Sequence, residues 1–346
     1  MGRFRIITIV LSITACVLNL YSQNVKPPQF KEVYDILKSK LTGIPEPELE
    51  AAALNGILNR FSNYVQIVSK ENIEESTEAV SNIQFFESNI VCFKIGAVIQ
   101  TLPNQFADLL NQIQKTNELK GIIIDLRFTS GKNYEAAAKF ADLFYSNEKQ
   151  LFKLGDKIFK TTAKTNAITT PTILLVNKET ANAAEALALS LMNCKSVISI
   201  GNNTSGTAHS FTEIKLSTGQ ILRIASASIK YSDDTPVQTN GLKPDIVVDT
   251  PIEDERDFIA NPYKLPRRLE ALESSQTARA TRPRLNEAEL VRMKKEGIDL
   301  SGDLPPVEKS AKPQDSQQKL IQDPSLARAV DILKVINLIG IEKFQK

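Results

Sequence analysis

Two continuous apolar runs most constrain how this chain can fold. Residues 121–126 read GIIIDL and residues 172–176 read TILLV. Runs of this kind are typical of strands that are buried on both faces. Helical spacing of apolar residues lies next to them, as in residues 133–145 and 181–192. Strands that alternate with helices in this way predict an α/β domain with crossover connections.

The rest of the chain differs in texture from this domain. Residues 253–318 contain six prolines, many charges and few aromatic residues, a composition that predicts disorder or loose helix. A helix follows, with Asp323 as its N-cap and Pro324 at its first position. The predicted regions are a signal peptide at 1–22, a helical region at 28–68, the α/β core at 76–252, a disordered insertion at 253–318, and a C-terminal helix at 321–343 that packs on the core.

Composition excludes several function classes. The 42 basic and 40 acidic residues nearly cancel, so no basic field indicates a nucleic-acid partner. Three cysteines and one histidine exclude most Cys/His metal sites, and we expect neither a metal nor a cofactor. Cys92 and Cys194 resemble small apolar core residues, and the sequence leaves open whether they pair.

The amino terminus has the pattern of an export signal. A short basic region precedes an apolar run at 6–21, which suits a secretory segment better than a bilayer span. A lipobox-like stretch would leave a lipid on Cys16, whereas an ordinary cleavage site lies before Gln23 and is favoured by the apolar residues after Cys16. An uncleaved anchor is the third alternative. Each of these three alternatives predicts export to the bacterial periplasm or cell envelope, and the first would make the protein a lipoprotein.

Four ordered stretches carry a family resemblance. They are GIIIDLRFTSG (121–131), PTILLVNKETANAAE (171–185), IGNNTSGTA (200–208) and NGLKPDIVV (240–248). They resemble the DLRxNxGG, TASASE, VGxxTFGKG and GIxPDIxV segments of the carboxyl-terminal processing (tail-specific) serine protease family. The resemblance implies a core of the crotonase/Clp-protease type, a spiral of strands flanked by helices. The 20 or so residues between Ser69 and Asn89 leave no room for the PDZ domain that members often carry.

The resemblance also implies where the chemistry of the family would lie. In the family a serine attacks the peptide carbonyl and a lysine takes its proton. The serine position falls on Asn182, the lysine position on Thr207 and a polar-partner position on Phe211. An amide is no nucleophile, and a threonine hydroxyl is no base near neutral pH. The chain is therefore identified as a degenerate member that lacks the Ser/Lys dyad.

Part of the oxyanion hole of the family is retained in the sequence. Gly131 occupies the first position of a glycine pair, and Lys132 replaces the second glycine, where we favour a solvated loop lysine over one that fills the cleft or binds a carboxylate. Ala183 follows the empty nucleophile position, so we expect its N–H to be available. These residues predict a concave site that holds a carbonyl or carboxylate group without cutting it.

Other residues near these motifs offer a second route to catalysis. Ser205 and Ser210 flank Thr207, and His209 is the only imidazole of the chain. A Ser–His pair is a known catalytic arrangement, but neighbouring residues of a strand face opposite ways. We therefore interpret these as surface polar residues. Lys178 is interpreted as a solvated lysine rather than a base, and Glu185 as structural.

The resemblance implies a serine-type peptidase, and the missing dyad modifies that expectation. We expect an inactive pseudopeptidase that binds polypeptides or unstructured protein C-termini, with strand edges open to β-augmentation. The alternative is an active serine-type endopeptidase that processes protein C-termini through a non-standard nucleophile. A third reading is a structural partner of an active homologue. A protein partner for the charged segment 253–318 is expected, and membrane contact only through a lipid on Cys16.

Overall fold

The computed structural model describes residues 27–68, 78–87, 89–271, 295 and 320–340. The predicted signal peptide and most of the charged segment lie outside these residues. Numbered in chain order, the helices are α1 (Phe30–Lys40), α2 (Glu46–Arg60), α3 (Leu102–Thr116), α4 (Tyr134–Asp142), α5 (Ala183–Met192), α6 (Ile252–Ala260) and α7 (Pro324–Ile339). The strands are β1 (Val65–Val68), β2 (Val80–Phe86), β3 (Ile90–Ile95), β4 (Gly121–Asp125), β5 (Gln150–Leu154), β6 (Lys157–Lys160), β7 (Thr172–Val176), β8 (Val197–Gly201), β9 (His209–Lys215), β10 (Ile221–Lys230) and β11 (Ile246–Val247).

The chain divides into two compact units, Met1–Ser62 and Asn63–Lys346. In the described part of the first unit, α1 and α2 have no buried residue, and Lys38 pairs with Glu46. The helical prediction for 28–68 is correct for these two helices and wrong for β1, which is a strand of the second unit. Among the described residues, no helix combines the length and apolarity needed to span a bilayer.

A six-stranded sheet forms the centre of the second unit. Its strand order is β11-β8-β7-β4-β3-β2. Neighbouring strands are parallel except for β2, which runs antiparallel to β3 at one edge. Every residue of β4 and β7 is buried, as the two apolar runs predict. A parallel sheet of this kind requires cover on both faces.

The two faces of this sheet are covered by different helices. One cluster joins the sheet to α3, α4 and α5 and includes Phe106, Phe140 and Leu187. The other joins it to α7 through residues such as Val330 and Leu333. The predicted N-cap of α7 is present, because the Asp323 carboxylate accepts hydrogen bonds from the N–H groups of Ser325 and Leu326. Cys92 lies in the second cluster and Cys194 in the first, and both thiols are free.

The start of the charged segment is ordered, which corrects the prediction of disorder from residue 253. Helix α6 begins with three acidic residues, which the positive end of a helix stabilises, and buries Phe258. Its Asp254 pairs with Arg268 at 2.6 Å. Beyond α6, the Pro262 carbonyl accepts a hydrogen bond from the Gln322 N–H at 2.7 Å. The chain entering and the chain leaving residues 272–319 are therefore bonded to each other.

A second, smaller sheet positions part of the site. Its strand order is β1-β10-β5-β6, and β9 also pairs with β10. β1 lies antiparallel to the start of β10, with Val65 opposite Ile224. The strands β1, β5 and β6 were not predicted, because they are short, only partly buried and lack a continuous apolar run.

Candidate active site

The turn between β7 and α5 has the geometry of a nucleophile-bearing turn. Asn182 is the N-cap of α5 and has φ 53° and ψ −123°. A positive φ is uncommon for a residue other than glycine. A sharp, strained strand-to-helix turn presents the nucleophile in α/β-hydrolases. Here the side chain at that position is an amide, and it makes no capping hydrogen bond to the helix.

The backbone on both sides of Asn182 is bonded to the loop after β4. The Ala181 N–H donates to the Thr129 carbonyl, and the Ala183 N–H donates to the Gly131 carbonyl, each at 3.0 Å. The prediction that the Ala183 N–H is available is therefore wrong. The first N–H groups of a helix need acceptors outside it, and this one has found a carbonyl. The donor expected to bind an oxyanion is thus already occupied.

Gly131 is required by close backbone packing. A Cβ at this position would lie 2.4 Å from the Val98 carbonyl oxygen. The two segments are joined by a hydrogen bond from the Val98 N–H to the Ser130 carbonyl at 2.9 Å. The glycine that resembles the first member of the family pair therefore has a steric reason to be there.

Lys132 lies on the wall of an open groove beside this loop. The groove has a volume of about 570 Å³ and is lined by Val98, Ile99, Gln100, Lys132, Asn133, Tyr134, Glu135, Leu154, Lys157 and Phe159. Apolar side chains from the residues after β3 and from β5 and β6 face two lysines and one glutamate, and Lys157 pairs with Glu135. The groove thus combines an apolar lining with cationic groups, which suits an extended chain with an apolar side chain and an anionic group.

Glu185 holds the loop that carries Thr207 against the first turn of α5. Its buried carboxylate accepts hydrogen bonds from the Thr204 hydroxyl and from the N–H groups of Gly206, Thr207 and Ala208, the last three at 2.8–3.0 Å. Burial raises the pKa of Glu185, and these hydrogen bonds oppose the rise. Charge-assisted bonds to three successive N–H groups fix the loop firmly. This arrangement agrees with the structural interpretation of Glu185.

Thr207, which occupies the position of the family's lysine, has its hydroxyl hydrogen-bonded to the hydroxyl of Ser205. Thr207 Oγ1 lies 2.5 Å from Ser205 Oγ. Neither group accepts a proton near neutral pH, so each leaves the other unactivated. Phe211 lies under the guanidinium of Arg223, 4.7 Å from its ring centre, and has no polar atom with which to orient a base.

The second route to catalysis does not assemble either. Ser210 Oγ is bonded to Ser226 Oγ at 2.9 Å. Within the residues that the structure describes, neither ring nitrogen of His209 has a hydrogen-bond partner. His209 is only 6% exposed, so the interpretation of this residue as a surface group is wrong. Lys178 is exposed, as expected.

A buried charge cluster beneath the loop was not predicted. Arg127 Nη2 pairs with Asp125 and its Nη1 with Asp323, both at 2.8 Å, and the side chain is 2% exposed. Burial alone would lower the pKa of Arg127, but the two carboxylates raise it well above its usual value. The Lys94 ammonium also donates to the Arg127 carbonyl and to Thr129 Oγ1. The Thr129 carbonyl in turn accepts the hydrogen bond from Ala181, next to Asn182. The cluster therefore supports the candidate site from below.

Another buried acid, Glu255, lies near this cluster. The Glu255 carboxylate accepts a hydrogen bond from the Asn177 side chain at 2.7 Å, and its other oxygen has no partner among the described residues. Burial raises the pKa of Glu255 to about 7, opposed by the Asn177 bond. Over the described parts of the chain, no group of three or more His, Cys, Asp or Glu residues is arranged to hold a metal ion.

Comparison with known proteins gives the same family as the motifs. Residues 86–248 match peptidase family S41. The carboxy-terminal processing protease CtpA of Bacillus subtilis is 28% identical over 181 residues, covering 51% of this chain and 38% of that protein. The carboxy-terminal-processing protease of Bartonella bacilliformis is 30% identical over 166 residues, covering 45% of this chain and 38% of that protein. The chain thus spans well under half the length of these relatives.

The fold has a counterpart among solved structures. The crystal structure of a candidate peptidase from Parabacteroides merdae superposes with a TM-score of 0.52 at 14% sequence identity, over 68% of this chain and 87% of that chain. The predicted family and the predicted α/β fold class are confirmed by these matches.

Proposed function

Because residues 86–248 form a peptidase family S41 domain related to carboxy-terminal processing proteases, we propose that this chain binds polypeptides through that domain without cutting them. The observation that carries the proposal is the turn at Asn182. It keeps the strained backbone that presents a nucleophile, yet it presents an amide. Fold alone does not imply activity, so the chemistry of the site decides.

Two further contacts support the absence of peptide cleavage. The hydroxyl of Thr207 is bonded to that of Ser205, so no amine stands there to take a proton. The Ala183 N–H is used by the Gly131 carbonyl, which leaves one donor fewer for a developing oxyanion. Loss of a single such donor lowers kcat by roughly 100- to 1,000-fold in a serine peptidase. With nucleophile, base and donor all compromised, cleavage is not the activity that this site favours.

Binding remains chemically reasonable at the same place. The groove offers apolar surface together with Lys132, which suits an apolar side chain and a carboxylate, whereas Lys157 already pairs with Glu135. Unstructured protein C-termini carry both. One edge that β-augmentation would require is already filled, because β1 pairs with the start of β10. We therefore place the bound polypeptide in the groove rather than on that edge.

Export completes the proposal. The basic and apolar pattern of residues 1–22 supports secretion, and a lipid on Cys16 would keep the protein at the cell envelope. A partner for the charged segment 253–318 stays a prediction. The test of location is fractionation of cells that make the full chain, with mass spectrometry to find the mature amino terminus. Full-length protein in the cytoplasm would contradict export.

The activity test uses residues 23–346, which lack the predicted signal. Purified protein is incubated with a fluorophosphonate probe and with unstructured protein, and binding of fluorescent peptides is measured by anisotropy. We expect no labelling and no cleavage, but saturable binding that weakens when Lys132→Glu is introduced. Lys178→Glu is the matched control, since Lys178 is an exposed lysine outside the groove lining. Cleavage abolished by Ser205→Ala or Ser210→Ala would refute the proposal and establish the active alternative.

A further inference from the structure

The only histidine of the chain is buried in an unusual way. His209 begins β9, two residues after Thr207, and neither of its ring nitrogens makes a hydrogen bond of ordinary distance and angle within the described residues, although the Gly206 backbone is close enough to raise its pKa. Burying an unpaired polar atom is unfavourable, and most buried polar groups in proteins find a partner. The His209 ring is only 6% exposed, so burying its two nitrogens does not stabilise the fold and indicates another role for this residue.

The ring is covered by the segment that enters the second unit. We call residues 63–68, which are Asn63, Tyr64 and β1, the strap. The Tyr64 ring stacks on His209 with 4.8 Å between ring centres. The Tyr64 carbonyl accepts a hydrogen bond from the Ala225 N–H at 2.8 Å, and the Asn63 side chain donates to the Ser205 carbonyl at 3.4 Å. The strap thus lies over the loop that carries Thr207.

Among the residues that the structure places around His209, none provides a counter-ion for a charged ring. Phe211 meets the ring edge-on at 6.1 Å, and the Tyr134 hydroxyl donates to the His209 carbonyl rather than to the ring. Arg223 lies over Phe211 and carries the same charge as an imidazolium. The carboxylate of Glu185 is already bonded to four donors of the loop that precedes His209.

The neutral ring is therefore accommodated and the charged ring is not. Burial lowers the pKa of His209, and the backbone of Gly206 opposes this only in part. Protonation would place a cation without a neighbouring carboxylate between two aromatic rings, at a site where the ring is only 6% exposed. Tyr64 covers one face of the ring, so we expect protonation to displace the strap that carries Tyr64.

We propose that His209 is a pH-sensitive latch whose neutral ring holds the strap closed and whose protonation releases it. Because the pKa is lowered in the closed state, the stabilisation is present above the ordinary histidine pKa of about 6.5 and is lost as the pH falls below it. Release of β1 uncovers the edge of β10 at Ile221–Ile224. Mild acid would thus open a strand edge for β-augmentation next to the candidate site.

The test uses the fact that the chain has a single imidazole. Residues 23–346, carried on a tag without histidine, give one set of imidazole signals in an NMR titration from pH 8 to pH 5. Hydrogen exchange of residues 63–68, corrected for intrinsic rates, is measured over the same range. We expect the His209 pKa to lie below 6.5 and strap exchange to rise at least tenfold at acid pH, with a midpoint that follows the titration.

Two variants keep the latch falsifiable. His209→Phe retains an aromatic ring that cannot be protonated, so strap exchange should become independent of pH while Tyr64→Ala should exchange fast at every pH. Glu255, whose pKa is about 7, remains in both variants and lies in α6, so any residual pH effect away from the strap is assigned to it. A His209 pKa at or above 6.5, or acid release of the strap in His209→Phe, would overturn the latch. Should His209→Phe fail to fold, the wild-type titration and exchange midpoints alone decide.

Discussion

Removing the Arg127 guanidinium should cost this fold more than almost any other single charge. Arg127→Met keeps much of the apolar volume but leaves Asp125 and Asp323 without their shared cation. The side chains of these two aspartates are only 6% and 1% exposed. Breaking a buried ion pair by removing one partner costs about 3–5 kcal/mol, because the remaining charge stays desolvated. Since two carboxylates lose a partner here, and Lys94 is 3.9 Å from Asp125 alone, we expect the upper part of that range.

The measurement is urea unfolding of residues 23–346 followed by fluorescence and circular dichroism. A matched control is available on the surface, where Arg267 pairs with Asp257 at 2.7 Å with its own side chain 85% exposed. Exposed pairs contribute about 0–1 kcal/mol, so Arg267→Met should lie in that range. Equal losses for the two variants, or a loss below about 1 kcal/mol for Arg127→Met, would show that burial does not decide the strength of this cluster.

Three further predictions concern the site and its surroundings. Asn182→Ser with Thr207→Lys should give weak fluorophosphonate labelling at best, because the oxyanion donor stays occupied; labelling equal to that of an active family member would refute this. Glu255→Gln should flatten the dependence of the melting temperature on pH. Because burial raises the pKa of Glu255 to about 7, its stabilisation of the folded state is complete below pH 4.5 and is lost as the pH rises through 7. A wild-type melting temperature that is constant from pH 5 to 8 would contradict the burial argument. Gly131→Ala should lower the free energy of unfolding by at least about 1 kcal/mol, since its Cβ meets the Val98 carbonyl, and should therefore lower the melting temperature by at least roughly 2–4 °C; an unchanged melting curve would show that the loop moves freely.

The central sheet was predictable from the sequence because strands that are buried on both faces consist of consecutive apolar residues. β4 and β7 are continuous apolar runs, and every one of their residues is buried. The N-cap of α7 was equally readable, since an aspartate before a proline is a local signal. The position of Asn182 at the start of α5 also follows from local spacing of motifs. Features that depend on neighbours in sequence were therefore accessible.

Contacts between distant residues were not accessible in the same way. Arg127 and Asp323 are far apart in sequence, and nothing local indicates that one buried cation serves both Asp125 and the cap of α7. The partner of the Ala183 N–H depends on how the loop at Gly131 turns, which only packing against Val98 determines. Burial of His209 likewise requires Tyr64, which arrives from a strand too short to leave a pattern.

The hydrogen bond between Gln322 and Pro262 has a practical consequence. It closes a ring of covalent and hydrogen bonds at the base of residues 272–319, and the Arg268–Asp254 and Arg127–Asp323 pairs brace the two ends of that ring. Lengthening, shortening or replacing what lies between changes the closure entropy only slowly with length. We therefore expect that segments of different length and sequence can be inserted at this position while the sheet and the groove keep their geometry.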